Sequence, residues 1–131
     1  MPDLSDASSR NLETCHQSII EICRTVIRDY DFTVLYGHRG EELQNGLYAQ
    51  GRTAPGQIVT YCQWPDSKHN SIPSLAVDLA PYPIDWSDLY RFHELAGRML
   101  QVAALFDVDM TWGGHWESQD MPHFQVRICP I

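Results

Sequence analysis

Positive charge is scarce in this chain. Its 131 residues hold nine Lys and Arg against 17 Asp and Glu, a formal net charge of −8. Nucleic-acid binding relies on clustered cations that neutralise phosphates, and the absence of any basic stripe argues against that class. No run approaches the twenty or so apolar residues that span a bilayer, so no membrane insertion is expected. Residues 1–10 are polar and carry Asp3 and Asp6, without the positive start and apolar stretch of a secretory signal. Synthesis and retention in the cytoplasm are therefore expected. No repeat, linker or low-complexity segment divides the chain. One domain over residues 1–131 is expected, with residues 1–10 as a flexible N-terminus, and 44% hydrophobic content suffices for a core without disulfides.

Metal-type and redox-type cysteine spacing is also missing, since Cys15, Cys23, Cys62 and Cys129 form no CxxC pair. If Cys15 and Cys23 share a helix, eight residues of rise separate them by about 12 Å. A bridge needs Cα atoms within roughly 7 Å. Free, mostly buried thiols in a reducing compartment are the expectation.

What the chain does contain is periodic. Leu12, Ile19, Ile22, Cys23, Val26 and Tyr30 recur at helical spacing and predict one helix over Asn11–Asp29. Phe32–Tyr36 reads as a strand, and Glu41–Gln50 as a short helix stopped by Gly51. Arg52–Ser74 holds three prolines and reads as a loop longer than compact folds usually carry unless it is functional. Leu75–Ala80 is apolar apart from Asp78. A third, long helix, capped by Asp85 or Ser87, would bury Leu89, Phe92, Ala96, Met99, Ala103 and Phe106. Val108–Trp112 and Phe124–Ile128 read as closing strands.

The chemistry-bearing residues are divided between two regions. His69 lies in the long loop beside Ser67 and Asn70, Asp78 interrupts an apolar strand, and Asp120, Pro122 and His123 open the last strand. An ionised carboxylate in a buried strand is costly unless it is paired or bound to a cation. Two imidazoles and a carboxylate are what a catalytic zinc retains while leaving a position open for water. Residue types alone leave open that each His is an ordinary hydrogen-bonded side chain. Pro122 holds Met121 extended, so Asp120 and His123 come from a turn entering a strand and not from one helix face. Trp112, Trp116 and Phe124 could wall a cleft or fill the core.

The stretch GHRGEELQNGLYAQGRTAPGQIVT over 37–60, followed in order by SKHN, AVDLAPYP, WGGHW and DMPHFQV, resembles the zinc D-alanyl-D-alanine metallopeptidase family, and within it the phage endolysins that cut the L-alanyl-D-glutamate bond of peptidoglycan. The resemblance runs from about Thr33 to Ile128. It implies an α+β fold of the hedgehog/DD-peptidase type, a small antiparallel sheet packed with two or three helices. It implies a Zn2+ cofactor held by His69, Asp78 and His123, with Asp120 as acid/base and Arg39 facing the substrate carbonyl or carboxylate. Ser67 would support the His motif; His115 could be a substrate contact, a competing ligand or simply a loop residue, and Trp116 a substrate contact in the cleft wall. The chain departs from the pattern in two places. Eight residues separate His69 from Asp78 where relatives commonly have six including a Gly, and His115 replaces an Asp of a Gly-Gly-Asp-Trp motif. Asp109 could orient a ligand His, His38 could help shape the cleft, and His16 and His93 carry no assigned chemistry.

The implied partner is the bacterial peptidoglycan stem peptide, met by a monomer. With no separate wall-binding domain and an acidic net charge, recognition would fall to the cleft itself. A protein without a signal fits a lysis enzyme that reaches the wall after release. Two alternatives stand beside the endopeptidase: a D,D-carboxypeptidase or dipeptidase, which needs a further cation such as Arg52 or Lys68 for a free carboxylate, and a non-catalytic zinc-binding module.

Overall fold

The computed structural model describes residues 2–128. Four α-helices and a four-stranded sheet make an α+β fold: α1 Asp6–Leu12, α2 Gln17–Val26, β1 Phe32–Tyr36, α3 Glu41–Ala49, β2 Ala76–Pro81, α4 Leu89–Leu105, β3 Asp109–Trp112 and β4 His123–Arg127. Single 3-10 turns at Lys68–Asn70 and Gly113–His115 precede β2 and β4. All strand pairs are antiparallel, in the order β1-β2-β4-β3. Among the described residues, no helix is long and apolar enough to cross a membrane.

Strand alternation sorts the sheet into two faces. Val77, Leu79, Phe124 and Val126 join Ile19, Ile22, Leu95, Met99 and Trp112 in one buried cluster, where α4 packs on β2 and β3 and α2 packs on α4. Asp78, between Val77 and Leu79, takes the opposite face, and its cross-strand partner in β4 is His123. The core thus dictates which side the charged residues occupy.

Three expectations change. The loose lead-in over residues 1–10 is helical from Asp6, with Ser5 accepting the Ser8 N–H and Ser8 and Leu12 buried. This helix covers edge strand β1: Ser8 Oγ accepts from Val34 N–H at 2.9 Å and Asn11 Nδ2 donates to the Val34 carbonyl at 3.0 Å. Edge groups left open invite pairing with other chains. The single helix over Asn11–Asp29 is broken at residues 13–16, because Ser74 N–H donates to Thr14 O and His16 N–H donates to Ser74 O. His16 then caps α2 by accepting the Ser18 N–H. Cys15 and Cys23 therefore sit on different elements, yet both are free, as is Cys62, and burial pushes the Cys15 thiol up to about 12. Cys129 lies outside the described residues. Third, α4 starts at Leu89 after Asp88, while Asp85 and Ser87 bond each other in the preceding turn. Its buried stripe runs through Leu95, leaving Leu89 and Phe106 exposed at its two ends.

α3 ends at Ala49 and Gly51, at φ +81°, turns the chain away. Its one buried residue is polar, Gln44.

Since Ser8 Oγ is the acceptor for the buried Val34 N–H, Ser8→Ala should lower stability by about 1–3 kcal/mol, whereas Ser9→Ala should cost less than about 0.5 kcal/mol. Urea denaturation midpoints check this; equal midpoints for the two variants would contradict the role given to α1.

Candidate metal centre

Three segments meet beyond the end of β1. The Gly37–Arg39 segment clasps His69 through backbone and side chain: Arg39 N–H donates to His69 O at 2.8 Å, and His69 Nδ1 lies 2.7 Å from the Gly37 carbonyl. Ser67 and Asn70 close a reciprocal cap around the 3-10 turn that carries His69, and Ser67 Oγ accepts the His69 N–H. Asn70 Nδ2 also donates to Arg39 O at 3.0 Å, and Gln44 Nε2 donates to Cys62 O at 2.7 Å, which ties α3 to the loop above the cleft. The longer interval before Asp78 is absorbed outward. Leu75 N–H donates to Lys68 O, closing the segment at its base, while Ile72 projects with 85% of its surface exposed.

His123 is delivered by β4 and by the turn before it. Trp112 Nε1 donates to Met121 O at 2.7 Å, Asp120 N–H donates to Gly113 O at 2.9 Å, and His123 N–H donates to Asp120 O. Gly113 permits this closure, because a Cβ there would lie 2.5 Å from Asp120 O and 3.1 Å from His123 Cβ.

His69, Asp78 and His123 are all buried, and one ligand atom from each lies within 4.8 Å of the others. Asp78 divides its oxygens. Oδ2 accepts from Arg39 Nη2 at 2.6 Å, while Oδ1 faces His69 Nε2 at 3.2 Å and His123 Nδ1 at 3.3 Å. The outer nitrogens are engaged elsewhere. His69 Nδ1–H donates to Gly37 O, and His123 Nε2–H donates to Gln125 Oε1 at 2.9 Å. Neutral imidazoles tied in this way present both inner lone pairs toward a carboxylate oxygen, an arrangement that is repulsive unless a proton or a metal cation lies among them. Tetrahedral ligands at about 2.0–2.1 Å from a zinc stand about 3.3–3.4 Å apart, which matches both edges to Asp78. Imidazoles with their second nitrogen tied to a carbonyl or amide oxygen are the usual supported ligands. These residues fit a divalent cation.

A proton on an inner nitrogen can take the cation's place beside the same carboxylate. Burial alone would raise the Asp78 carboxyl, but hydrogen bonds from His123 and His69 in that protonated form and the charges of His69 and Arg39 hold it well below the usual carboxylate range. Burial alone would lower His123, and Asp78 more than offsets it, so its pKa is raised. Asp120 is pushed up, first by burial and then by the negative charge of Asp78. Its Oδ2 is 3.9 Å from His123 Nδ1.

An open cleft of about 1310 Å³ brings Arg39, Ser67, His69, Asp78, Trp116, Asp120 and His123 together. His115 is not in its lining; the exposed imidazole meets Trp112 edge-on at 4.9 Å. Trp112 and Phe124 belong to the core, and of the three aromatics weighed for the cleft, Trp116 is the one lining it, its ring 5.1 Å from His123. Asp109 is exposed at the start of β3, opposite Arg127 and away from the ligands, and His38 supplies a backbone N–H to Thr14 Oγ1. Sequence reading misses Gln125, although strand alternation alone puts it on the face of His123. Gln44 and Gly113 lie within the quoted 37–60 and WGGHW stretches, but sequence alone assigns neither a role.

A family model of the phage L-alanyl-D-glutamate peptidase matches residues 2–127. The chain is 34% identical over 104 residues to the peptidoglycan L-alanyl-D-glutamate endopeptidase CwlK of Bacillus subtilis. That match takes in 73% of this chain and 60% of CwlK, so the chain spans less than two thirds of that relative's length. The crystal structure of the L-Ala D-Glu endopeptidase ChiX of Serratia marcescens superposes with a TM-score of 0.74 over 95% of this chain and 89% of ChiX, at 22% identity, a likeness of fold.

Gln125→Leu removes the acceptor that fixes the His123 proton and should weaken metal binding about 10–100-fold. Competition with a chromophoric chelator measures this, and unchanged affinity would contradict the tautomer argument. Because the raised His123 pKa must be overcome before Nδ1 offers its lone pair, affinity should fall as pH drops through the His range and recover above it. The same titration run across pH 5–8 checks the sign.

Proposed function

The chain belongs to the phage L-alanyl-D-glutamate peptidase family, and from that premise we propose that it is a zinc-dependent endolysin hydrolysing the L-alanyl-D-glutamate bond of the peptidoglycan stem peptide. The observation carrying this reading is the inward-facing His69, Asp78 and His123 set, with Asp120 beside it in an open cleft. Every residue the reading uses comes from one chain, so it needs no second copy.

A zinc ion bound there supplies Lewis acidity and lowers the pKa of water from about 15.7 to about 7. The protein's own side chains do the rest. Asp120 takes the proton of the attacking water and passes it to the departing amine. Its raised pKa brings it closer to working pH, which suits a group that must both accept and return a proton. Arg39, buried with Nη2 on Asp78 and its Nε without a partner, is assigned the charge developing on the carbonyl oxygen, a contribution of about 3–4 kcal/mol. Its pairing with Asp78 also fixes that ligand's orientation. Trp116 walls one side of the cleft, where it limits water around the reacting carbonyl.

Metal content and clearing of outer-membrane-permeabilised cells, measured together, test the assignment. His123→Ala should lose zinc and activity. Asp120→Ala should keep zinc and lose activity about 10²- to 10⁴-fold. Mass analysis of cleaved muropeptides should find D-glutamate at a new amino terminus. Near wild-type clearing by Asp120→Ala overturns the assigned base, and release of terminal D-alanine alone overturns the assigned bond.

A further inference from the structure

We infer that Lys68 is the anchor for the free carboxylate on the residue at the amine side of the scissile bond; the inference rests on the endopeptidase reading above. A glutamyl residue in that position has two carboxyl groups and continues the peptide through only one. Whichever linkage is used, the other stands as an anion a few bonds from the departing nitrogen.

An anion entering this cleft meets Asp66, Asp78 and Asp120 along its lining, in a chain of net charge −8. It needs a cation to offset them. Two cationic residues line the cleft, Arg39 and Lys68. Arg39 is buried with its Nη2 on Asp78 at 2.6 Å, and what remains of its guanidinium is already assigned to the carbonyl oxygen. Lys68 is exposed, and among the described residues it enters no ion pair and donates no side-chain hydrogen bond. Arg52, the other cation on this side of the sequence, is bonded to the Tyr48 and Thr60 carbonyls and is not in the lining.

The backbone beneath Lys68 is fixed. It begins the capped 3-10 turn, its carbonyl accepts from Leu75 N–H, and it directly precedes His69. A flexible stem on a fixed base, one residue from a metal-ligand position, suits an ammonium that must meet a carboxylate beside the reacting bond. The partners would be partly solvated, so the contribution falls with added salt.

Two synthetic stem peptides that differ only at that carboxyl, one the free acid and one the carboxamide, test the assignment with zinc-loaded protein. Wild type should favour the acid in kcat/KM by about three- to tenfold, mainly through KM, the range of a partly exposed charge pair. The ratio should shrink as salt is added. Lys68→Gln should bring the ratio to about one and Lys68→Glu should invert it, with zinc content unchanged in both, whereas Arg24→Gln on α2 should keep the wild-type ratio. A wild-type ratio of one, or a Lys68→Gln protein that keeps the preference, overturns the assignment of Lys68 alone. Failure of wild type to cut either peptide at the L-alanyl-D-glutamate bond overturns the endopeptidase reading, and this inference with it.

Discussion

The division of the Asp78 carboxylate between two kinds of partner is the constraint on which the rest of the site depends. A charge buried in a central strand is tolerated only where its lone pairs are met. Arg39 takes one oxygen and the two inward imidazole nitrogens surround the other. Were Arg39 absent, both oxygens would face the histidines and the carboxylate would be free to swing between one-oxygen and two-oxygen ligation. With it, Oδ1 alone is left facing the two imidazoles, the direction in which a bound cation would be held. Asp78 also sets the charge around it, adding to the burial that raises Asp120 and overcoming the burial that would lower His123.

That geometry is held by connections reaching well beyond the ligands. The β2–β4 register places His123 opposite Asp78, and a one-residue slip would send one of them into the core. The 3-10 turn bearing His69 is fixed by Arg39, Gly37 and Asn70, and Asn70 in turn bonds Gln44 in α3. Gln44 reaches on to the 60–62 loop that lines the cleft. A chain of amides therefore couples the turn carrying His69 to the 60–62 wall of the cleft. This explains why α3 buries a glutamine where other helices of the fold bury leucine or isoleucine.

Much of this is legible in the residues themselves. Asp78 stands out because an apolar strand has no other use for a charge, and the β-strands can be read because the core demands alternation. The candidate ligand set follows from the family resemblance, since residue types alone leave each His open to an ordinary hydrogen-bonded role. What stays hidden is long-range. The break between α1 and α2 is made by Ser74, far away in sequence, so periodicity continues smoothly across a place where the helix does not. His115, which its motif position leaves open between substrate contact, competing ligand and loop residue, is held against Trp112 and outside the cleft lining by the turn that closes over Gly113. Gln125 is recoverable from strand period, but only once His123 is given a specific protonated nitrogen does its oxygen acquire a purpose.

The central claim is that Asp78 Oδ1, His69 Nε2 and His123 Nδ1 converge on one divalent cation. X-ray absorption at the zinc edge on protein reconstituted with one equivalent of zinc tests it most directly. The account predicts a four-coordinate nitrogen and oxygen shell near 2.0–2.1 Å with the multiple-scattering signature of two imidazoles and no sulfur at about 2.3 Å. A shell lacking imidazole scattering, or one containing cysteine sulfur, would contradict it.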